Sequence, residues 1–262
     1  MKKYFVIGNP INHSLSPKLH NYWIKANNIN SIYEKKELKH DQLENIILDI
    51  KRKDIEGINV TVPFKQKIIE HIDELSPEAR ATQSVNTIYL NENKVVGHNT
   101  DIIGFTSSLK EISFDLLNKK VFILGAGGVV PSIVYSLNKM RPSQIIISNR
   151  TKEKAIDLKK LFTNLMIVDW GKIPEFDIII NATSVGLNNQ DNIGLDFSGV
   201  KDKLFYDVIY SPQETNFLKG AKIHGNKTIN GKMMFIYQAS AAFKLWHKIQ
   251  PKIDQKVIEL LS

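Results

Sequence analysis

Along this chain, short apolar runs rich in β-branched residues alternate with stretches whose apolar residues recur every three to four positions. That alternation predicts strands joined by crossover helices, and hence a largely parallel α/β sheet. In the first part, a strand over 4–7 ends at Gly8-Asn9-Pro10. Pro17 then opens a helix carrying Leu19, Tyr22, Trp23 and Ala26. A strand over 31–35 follows, then a helix with Leu43, Ile46, Ile47 and Ile50 on one face. A strand over 57–62 stops at Pro63, and Ile68, Ile69 and Ile72 mark a further helix. Strands over 85–90 and 95–98 flank a turn and predict a hairpin, so this sheet is mixed.

Beyond Asp101 the pattern is cleaner. Apolar runs at 121–124, 145–148, 166–168, 178–181 and 204–208 are separated by helices or loops, as in a doubly wound Rossmann fold. The last helical stretch, 233–246, carries Phe235, Ala239, Ala242 and Phe243 on one stripe and is expected to pack back on the first part. The predicted organisation is therefore a mixed-sheet α/β substrate domain over 1–101 and 235–262, and a dinucleotide-binding domain over 102–234.

Composition narrows the function classes. A length of 262 residues suits two domains better than one core. The formal net charge of +8 invites a nucleic-acid reading, but the lysines are scattered and arginine occurs only at 52, 80, 141 and 150. Guanidinium groups are the usual readers of bases and phosphates, so no nucleic-acid partner is expected. No apolar run approaches the roughly 18 residues of a membrane span, and the apolar run at 4–7 is too short for a signal peptide. Cysteine is absent, which removes disulfides and thiolate chemistry and is compatible with a cytoplasmic setting. The expected partner is a small molecule bound by a monomer or homodimer.

The strand at 121–124 runs directly into Gly125-Ala126-Gly127-Gly128-Val129 and then a helix through Ile133, Val134 and Leu137. Glycines there let the backbone turn tightly and approach a pyrophosphate at a helix N-terminus. The third glycine of the usual fingerprint is replaced by Val130, and Pro131 fits only the first helical turn. Past the next strand stand Asn149, Arg150 and Thr151, with Lys154 close by, where an NAD site would offer an acid. A guanidinium there points to the 2′-phosphate of NADP.

Polar clusters sit where strands of the first domain end: Ser14 and Ser16, Asn59 with Thr61 and Lys65, Asn86 with Thr87, and Asn99-Thr100-Asp101. Ligands of open α/β sheets bind outside the carboxyl ends of strands. Singly, each cluster has an ordinary explanation: Ser16 or Asp101 capping a helix, Asn86 facing solvent in a hairpin.

The ordered series GNPINHSLSP, GINVTVPFK, SVNT, HNTD, GAGG, NRT, NATSVG, DVIYSP and NGKMMFIYQA resembles the shikimate dehydrogenase family over nearly the whole chain. Departures from the family pattern are Gln83-Ser84 for a Gly-Ala pair, Ile102 for a glycine, and Pro131 for a small residue. The resemblance implies that Ser14, Ser16, Asn59, Thr61, Asn86, Asp101 and Gln238 hydrogen-bond shikimate, with Tyr210 nearby. It implies Lys65 as the catalytic residue with Asp101 as its partner, and NADP contacts at 125–129, Asn149 to Thr151, Lys154, Ala182, Thr183, Ser184, Val208 and Gly231. The implied activity is NADPH-dependent reduction of 3-dehydroshikimate in aromatic amino acid biosynthesis, with no metal. A quinate/shikimate dehydrogenase and a non-catalytic metabolite sensor are the alternatives.

Overall fold

In the computed structural model, which describes residues 1–188 and 190–261, the apolar runs become two six-stranded sheets in two compact units. One unit comprises Met1–Gly104 with Ile236–Ser262, the other Phe105–Phe235. The chain leaves the first unit within one helix and returns within another, so the divisions lie a few residues from the 101/102 and 234/235 positions expected from the sequence.

The first unit contains β1 (Lys2–Gly8), α1 (Ser16–Ala26), β2 (Ser31–Glu37), α2 (Leu43–Lys51), β3 (Gly57–Val60), β4 (Glu74–Leu75), α3 (Pro77–Thr82), β5 (Thr87–Asn91) and β6 (Lys94–His98). The sheet order is β2-β1-β3-β5-β6-β4; β5 runs antiparallel to β3 and β6, and the other pairs are parallel. The β5–β6 turn places Glu92 and Asn93 at φ 47° and 66°. Two successive positive φ values are the primed turn whose twist matches the flanking strands. Leu43, Ile46, Ile47 and Ile50 are all buried in the core beside Ile58, Val60, Ile88 and Val95. Each such side chain contributes about 1.5–3 kcal/mol.

Three local expectations are corrected here. The helix predicted around Ile68 is only a 3₁₀ turn, Lys67–His71, because extended backbone resumes at Ile72 and β4 follows. β4 and α3 went unpredicted, although Ser76-Pro77 is a start signal: the Ser76 hydroxyl accepts from the Ala79 amide. The β3 strand stops at Val60 rather than 62, and Val62 is exposed.

The second unit holds β7 (Lys120–Leu124), α5 (Val130–Met140), β8 (Gln144–Ser148), α6 (Lys152–Leu161), β9 (Leu165–Ile167), β10 (Ile178–Asn181), β11 (Leu204–Asp207), α7 (Asn216–Ile223) and β12 (Lys227–Ile229), after most of α4 (Asp101–Glu111). Every pairing is parallel and the order is β12-β11-β10-β7-β8-β9. Counted from β7, this is the 3-2-1-4-5-6 order of a Rossmann fold, with its switch point between β7 and β10. Alternate residues of each strand fall into separate cores: Val121, Ile123, Ile145, Ile147, Ile178 and Ile180 in one, Phe122, Leu124, Ile146 and Ile179 in the other. A strand buried on both faces must be apolar throughout, which is why these runs do not alternate.

The long helix α8 (Lys232–His247) buries Phe235, Ala239, Ala242 and Phe243 as expected, but Phe235 belongs to the second unit, where it stacks on Tyr210 at 4.4 Å. From Ile236 onward the helix is part of the first unit. There Phe243 meets Trp23, and Trp246, only half-buried, donates from Nε1 to the Ile88 carbonyl at 3.2 Å. Gly57 is glycine for that reason, since a Cβ on it would lie 2.5 Å from Trp246 Nε1. The short helix α9 (Gln255–Leu260) follows, and the Trp23 Nε1 donates to the Lys252 carbonyl at 3.0 Å.

Candidate active site

Three loops of the first unit converge on one buried ion pair. Lys65 follows β3 and is held by its backbone, its carbonyl accepting from the Val85 amide at 2.8 Å. Asp101 opens α4, with its own amide donating to Asn99 Oδ1 at 3.1 Å. Lys65 Nζ lies 2.5 Å from Asp101 Oδ2, and the two side chains are only 11% and 7% exposed. The second carboxylate oxygen accepts from Asn86 Nδ2 at 2.8 Å. Asp101 thus spends its carboxylate on Lys65 and Asn86, not on capping a helix.

Asn86 is buried rather than facing solvent. Its Oδ1 accepts from the Thr100 amide at 2.7 Å, and its Nδ2 also reaches Thr100 Oγ1 at 3.0 Å and Gln238 Oε1 at 3.4 Å. Asn59 donates from Nδ2 to the Asn86 carbonyl and to Thr87 Oγ1, each at 3.0 Å, and accepts at Oδ1 from the Tyr33 hydroxyl at 2.7 Å. Asn99 ties the preceding loop, donating to Thr82 Oγ1 at 3.0 Å and the Ser84 carbonyl at 2.9 Å. Such a network, fully buried and largely satisfied, is rigid because any rotation orphans a polar atom. Ser16 does not cap α1: the cap position is Leu15, no side chain bonds there, and the Ser16 amide instead donates to Ser14 Oγ at 3.3 Å. Thr61 is half-buried, its carbonyl accepting from the Phe64 amide. Thr87 and Thr100 belong to the polar clusters marked in the sequence, inside the SVNT and HNTD motifs, without an assigned role, whereas Tyr33 was not singled out and gives no local signal.

The second unit offers a different chemistry at the ends of β7 and β10. Gly125 has φ +106°, and a Cβ on it would lie 2.9 Å from the Ala182 backbone. A Cβ on Gly127 would meet only the Ala182 carbonyl at 3.9 Å, so nothing in the protein itself demands glycine there. The empty space suits a ligand phosphate at the start of α5, whose cap position Val129 makes no side-chain bond. Gly128 and Ala126 are half-buried beside it, and the Ala126 amide donates to Asn149 Oδ1 at 3.0 Å. Asn149 in turn donates to the Thr151 carbonyl at 2.6 Å. Arg150, Thr151 and Lys154 are exposed, and Arg150 has no ion pair or hydrogen bond among the described residues. These groups fit a phosphorylated dinucleotide.

The loop after β10 is braced by Asn181, whose Oδ1 accepts from the Thr183 amide at 3.1 Å and hydroxyl at 2.7 Å. Asp207, fully buried, accepts from Asn181 Nδ2, the Ile209 amide and the Thr215 hydroxyl. Burial pushes its carboxyl above the usual range. Ala182, Thr183 and Ser184 are therefore locked to the segment of Val208. Gly231 is required by packing alone, because a Cβ would come 2.1 Å from the Val208 carbonyl oxygen. Tyr210 lies in this unit and Gln238 in the other. No group of three or more His, Asp or Glu is placed to hold a metal among the described residues.

Residues 6–88 match the family model for the shikimate dehydrogenase substrate binding domain, and residues 107–189 match that for shikimate / quinate 5-dehydrogenase. A shikimate dehydrogenase (NADP(+)) of Pelagibacter ubique is 57% identical, with 100% of each chain covered. The shikimate dehydrogenase structure from Aquifex aeolicus superposes with a TM-score of 0.91 at 37% identity, covering 100% of this chain and 97% of that one. That of Thermus thermophilus in complex with NADP(H) and shikimate gives 0.89 at 31% identity, covering 100% and 98%. With two family models matched in order and full-length relatives at this identity, the chain belongs to the shikimate dehydrogenase family.

Proposed function

We propose that this chain catalyses the reversible reduction of 3-dehydroshikimate to shikimate with NADPH. The observation that carries the reading is the buried Lys65–Asp101 pair wired to Asn86. Bound NADPH supplies the hydride for the ketone carbon. Reduction leaves negative charge on the carbonyl oxygen, and that oxygen must be protonated. Lys65 Nζ stabilises the charge and donates the proton; in the oxidative direction it takes the proton back. Asp101 holds the ammonium in place and accepts a substrate hydroxyl, while Asn86 fixes the carboxylate. Ser14, Ser16, Asn59, Thr61 and Gln238 complete the contacts to hydroxyls and carboxylate, and the family resemblance assigns Tyr210 to the substrate as well.

NADP is assigned to Gly125–Val129, Asn149, Arg150, Thr151, Lys154, Ala182–Ser184, Val208 and Gly231. The unpaired Arg150 guanidinium suits the 2′-phosphate, and the relatives carry NADP in their names. We place the enzyme in the cytoplasm and expect a monomer or homodimer. Because the second family model names quinate as well, a broader substrate range is the competing reading. Assaying shikimate and quinate, each with NADP and with NAD, tests both. The expected result is NADP reduction with shikimate at a kcat/KM at least roughly tenfold above the other three combinations, and loss of most of the cofactor preference in Arg150→Ala. No shikimate oxidation by the folded protein would overturn the proposal.

A further inference from the structure

Among the members of the buried polar network that the catalytic reading leaves unused, Tyr33 is the one held from outside it. Tyr33 sits on β2, the edge strand of its sheet, with its side chain 1% exposed. An edge strand leaves backbone groups without a strand partner. At Tyr33 they are met by the Asn21 amide: Asn21 Nδ2 donates to the Tyr33 carbonyl at 2.7 Å, and the Tyr33 amide donates to Asn21 Oδ1 at 2.9 Å. The ring is held as firmly as the backbone, stacked on the His20 imidazole at 4.2 Å with an interplanar angle of 3°. Both anchors come from α1.

So fixed, the hydroxyl donates to Asn59 Oδ1 at 2.7 Å. A primary amide has two N–H donors and one oxygen with two lone pairs. Both Asn59 donors are engaged, on the Asn86 carbonyl and on Thr87 Oγ1. Turning the amide by half a turn would place its NH₂ against the Tyr33 hydroxyl and its oxygen against the Asn86 carbonyl. The Asn86 carbonyl, which can only accept, decides which way Asn59 points, and the Tyr33 hydroxyl then donates to the oxygen so presented and holds it in place. What Asn59 retains is one lone pair on Oδ1, an acceptor that suits a hydroxyl and rejects a carbonyl or carboxylate oxygen.

We propose that Tyr33 is a positioning residue for substrate binding, locking the Asn59 amide so that it presents an acceptor to a substrate hydroxyl. This rests on the assignment of Asn59 to the shikimate site. The role belongs to binding rather than to proton transfer, so it predicts a split between the kinetic constants.

The test is steady-state kinetics on Tyr33→Phe, Asn59→Ala and the double variant, with shikimate varied at saturating NADP. Tyr33→Phe keeps the ring and the His20 stack and removes only the donor. Its KM for shikimate should rise roughly tenfold, the loss of one buried hydrogen-bond partner, with kcat within about twofold of the parent and KM for NADP unchanged. In the Asn59→Ala background the same change should move KM by less than about twofold, because the residue through which Tyr33 acts is gone. Incorporating 3-fluorotyrosine, which keeps the hydroxyl donor, should restore a parental KM and guards against a Phe variant that folds poorly. An unchanged KM in Tyr33→Phe, or an equal rise in both backgrounds, overturns the inference. If Asn59→Ala alone leaves KM for shikimate unchanged, the site assignment of Asn59 fails and the inference falls with it; if Asn59→Ala raises KM and Tyr33→Phe does not, only the inference falls.

Discussion

At the scale of single residues, burial decides what each ionisable group does. Lys65 and Asp101 are worth their desolvation only as a pair, since removing one partner of a buried ion pair costs about 3–5 kcal/mol. Because they act as a unit, Lys65→Ala should lower kcat by roughly 10² to 10⁴ with a smaller effect on KM for shikimate. Asp101→Ala should hurt both constants. Their double variant should be little worse than Lys65→Ala alone; a double-mutant cycle on kcat/KM that proves strictly additive rules out a coupled pair. His20 shows burial acting without a partner. Neither ring nitrogen has one among the described residues, Tyr33 stacks on the ring, and burial with the charge of His247 nearby lowers its pKa to about 3. The folded state then binds fewer protons than the unfolded chain between about pH 3 and pH 6.5, so stability is lost as pH falls below 6.5. The loss is about 1.4 kcal/mol per pH unit. Urea unfolding at pH 7 and pH 5 should show a smaller drop in His20→Phe than in the parent; equal drops would mean that the imidazole is charged or solvated in the fold.

At the scale of elements, what the pattern reveals is what one strand or helix can encode by itself. The parallel strands of the second unit were legible because burial on both faces forces uninterrupted apolar runs such as Ile178–Ile180. β4 and the turn at Lys67–His71 were not, because so few residues carry no period. The motifs marked Lys65 and Asp101 and the family resemblance paired them, while the 36 positions between them are bridged only by tertiary structure. Tyr33 was invisible for a related reason: its place in β2 reads as an ordinary strand aromatic, and the hydroxyl's partner lies 26 positions away. Glycines separate in the same way. Gly231→Ala would drive a Cβ to 2.1 Å from the Val208 carbonyl oxygen, and it should cost about 1–3 kcal/mol in urea unfolding and raise KM for NADP. Gly220, inside α7 with nothing within 4 Å of its Cβ position, should instead stabilise by about 0.5–1 kcal/mol when changed to Ala. Equal effects of the two substitutions would show that helix propensity, not close approach, governs Gly231.

At the scale of the whole molecule, the surface contributes little: its ion pairs are largely exposed, as for Lys160–Asp157 at 73% and 69%, and such pairs are worth about 0–1 kcal/mol each. Stability therefore resides in the two cores, and each core carries its own part of the chemistry. The substrate network of Asn59, Lys65, Asn86 and Asp101 belongs to Met1–Gly104, and the glycine turn with Arg150 belongs to Phe105–Phe235. A ligand stabilises what it binds by about 2.7 kcal/mol at a hundred times its Kd, and the effect should appear first in the unit that holds it. Hydrogen exchange in the binary NADP complex should slow most in 125–130, 149–154 and 182–184. In the binary shikimate complex the slowing should concentrate in 59–65, 86–87 and 99–101. Protection of both sets by either ligand alone would mean that the two units open as one cooperative body. NADP protecting the Lys65 segment while leaving the glycine turn unchanged would remove the cofactor from the second unit altogether.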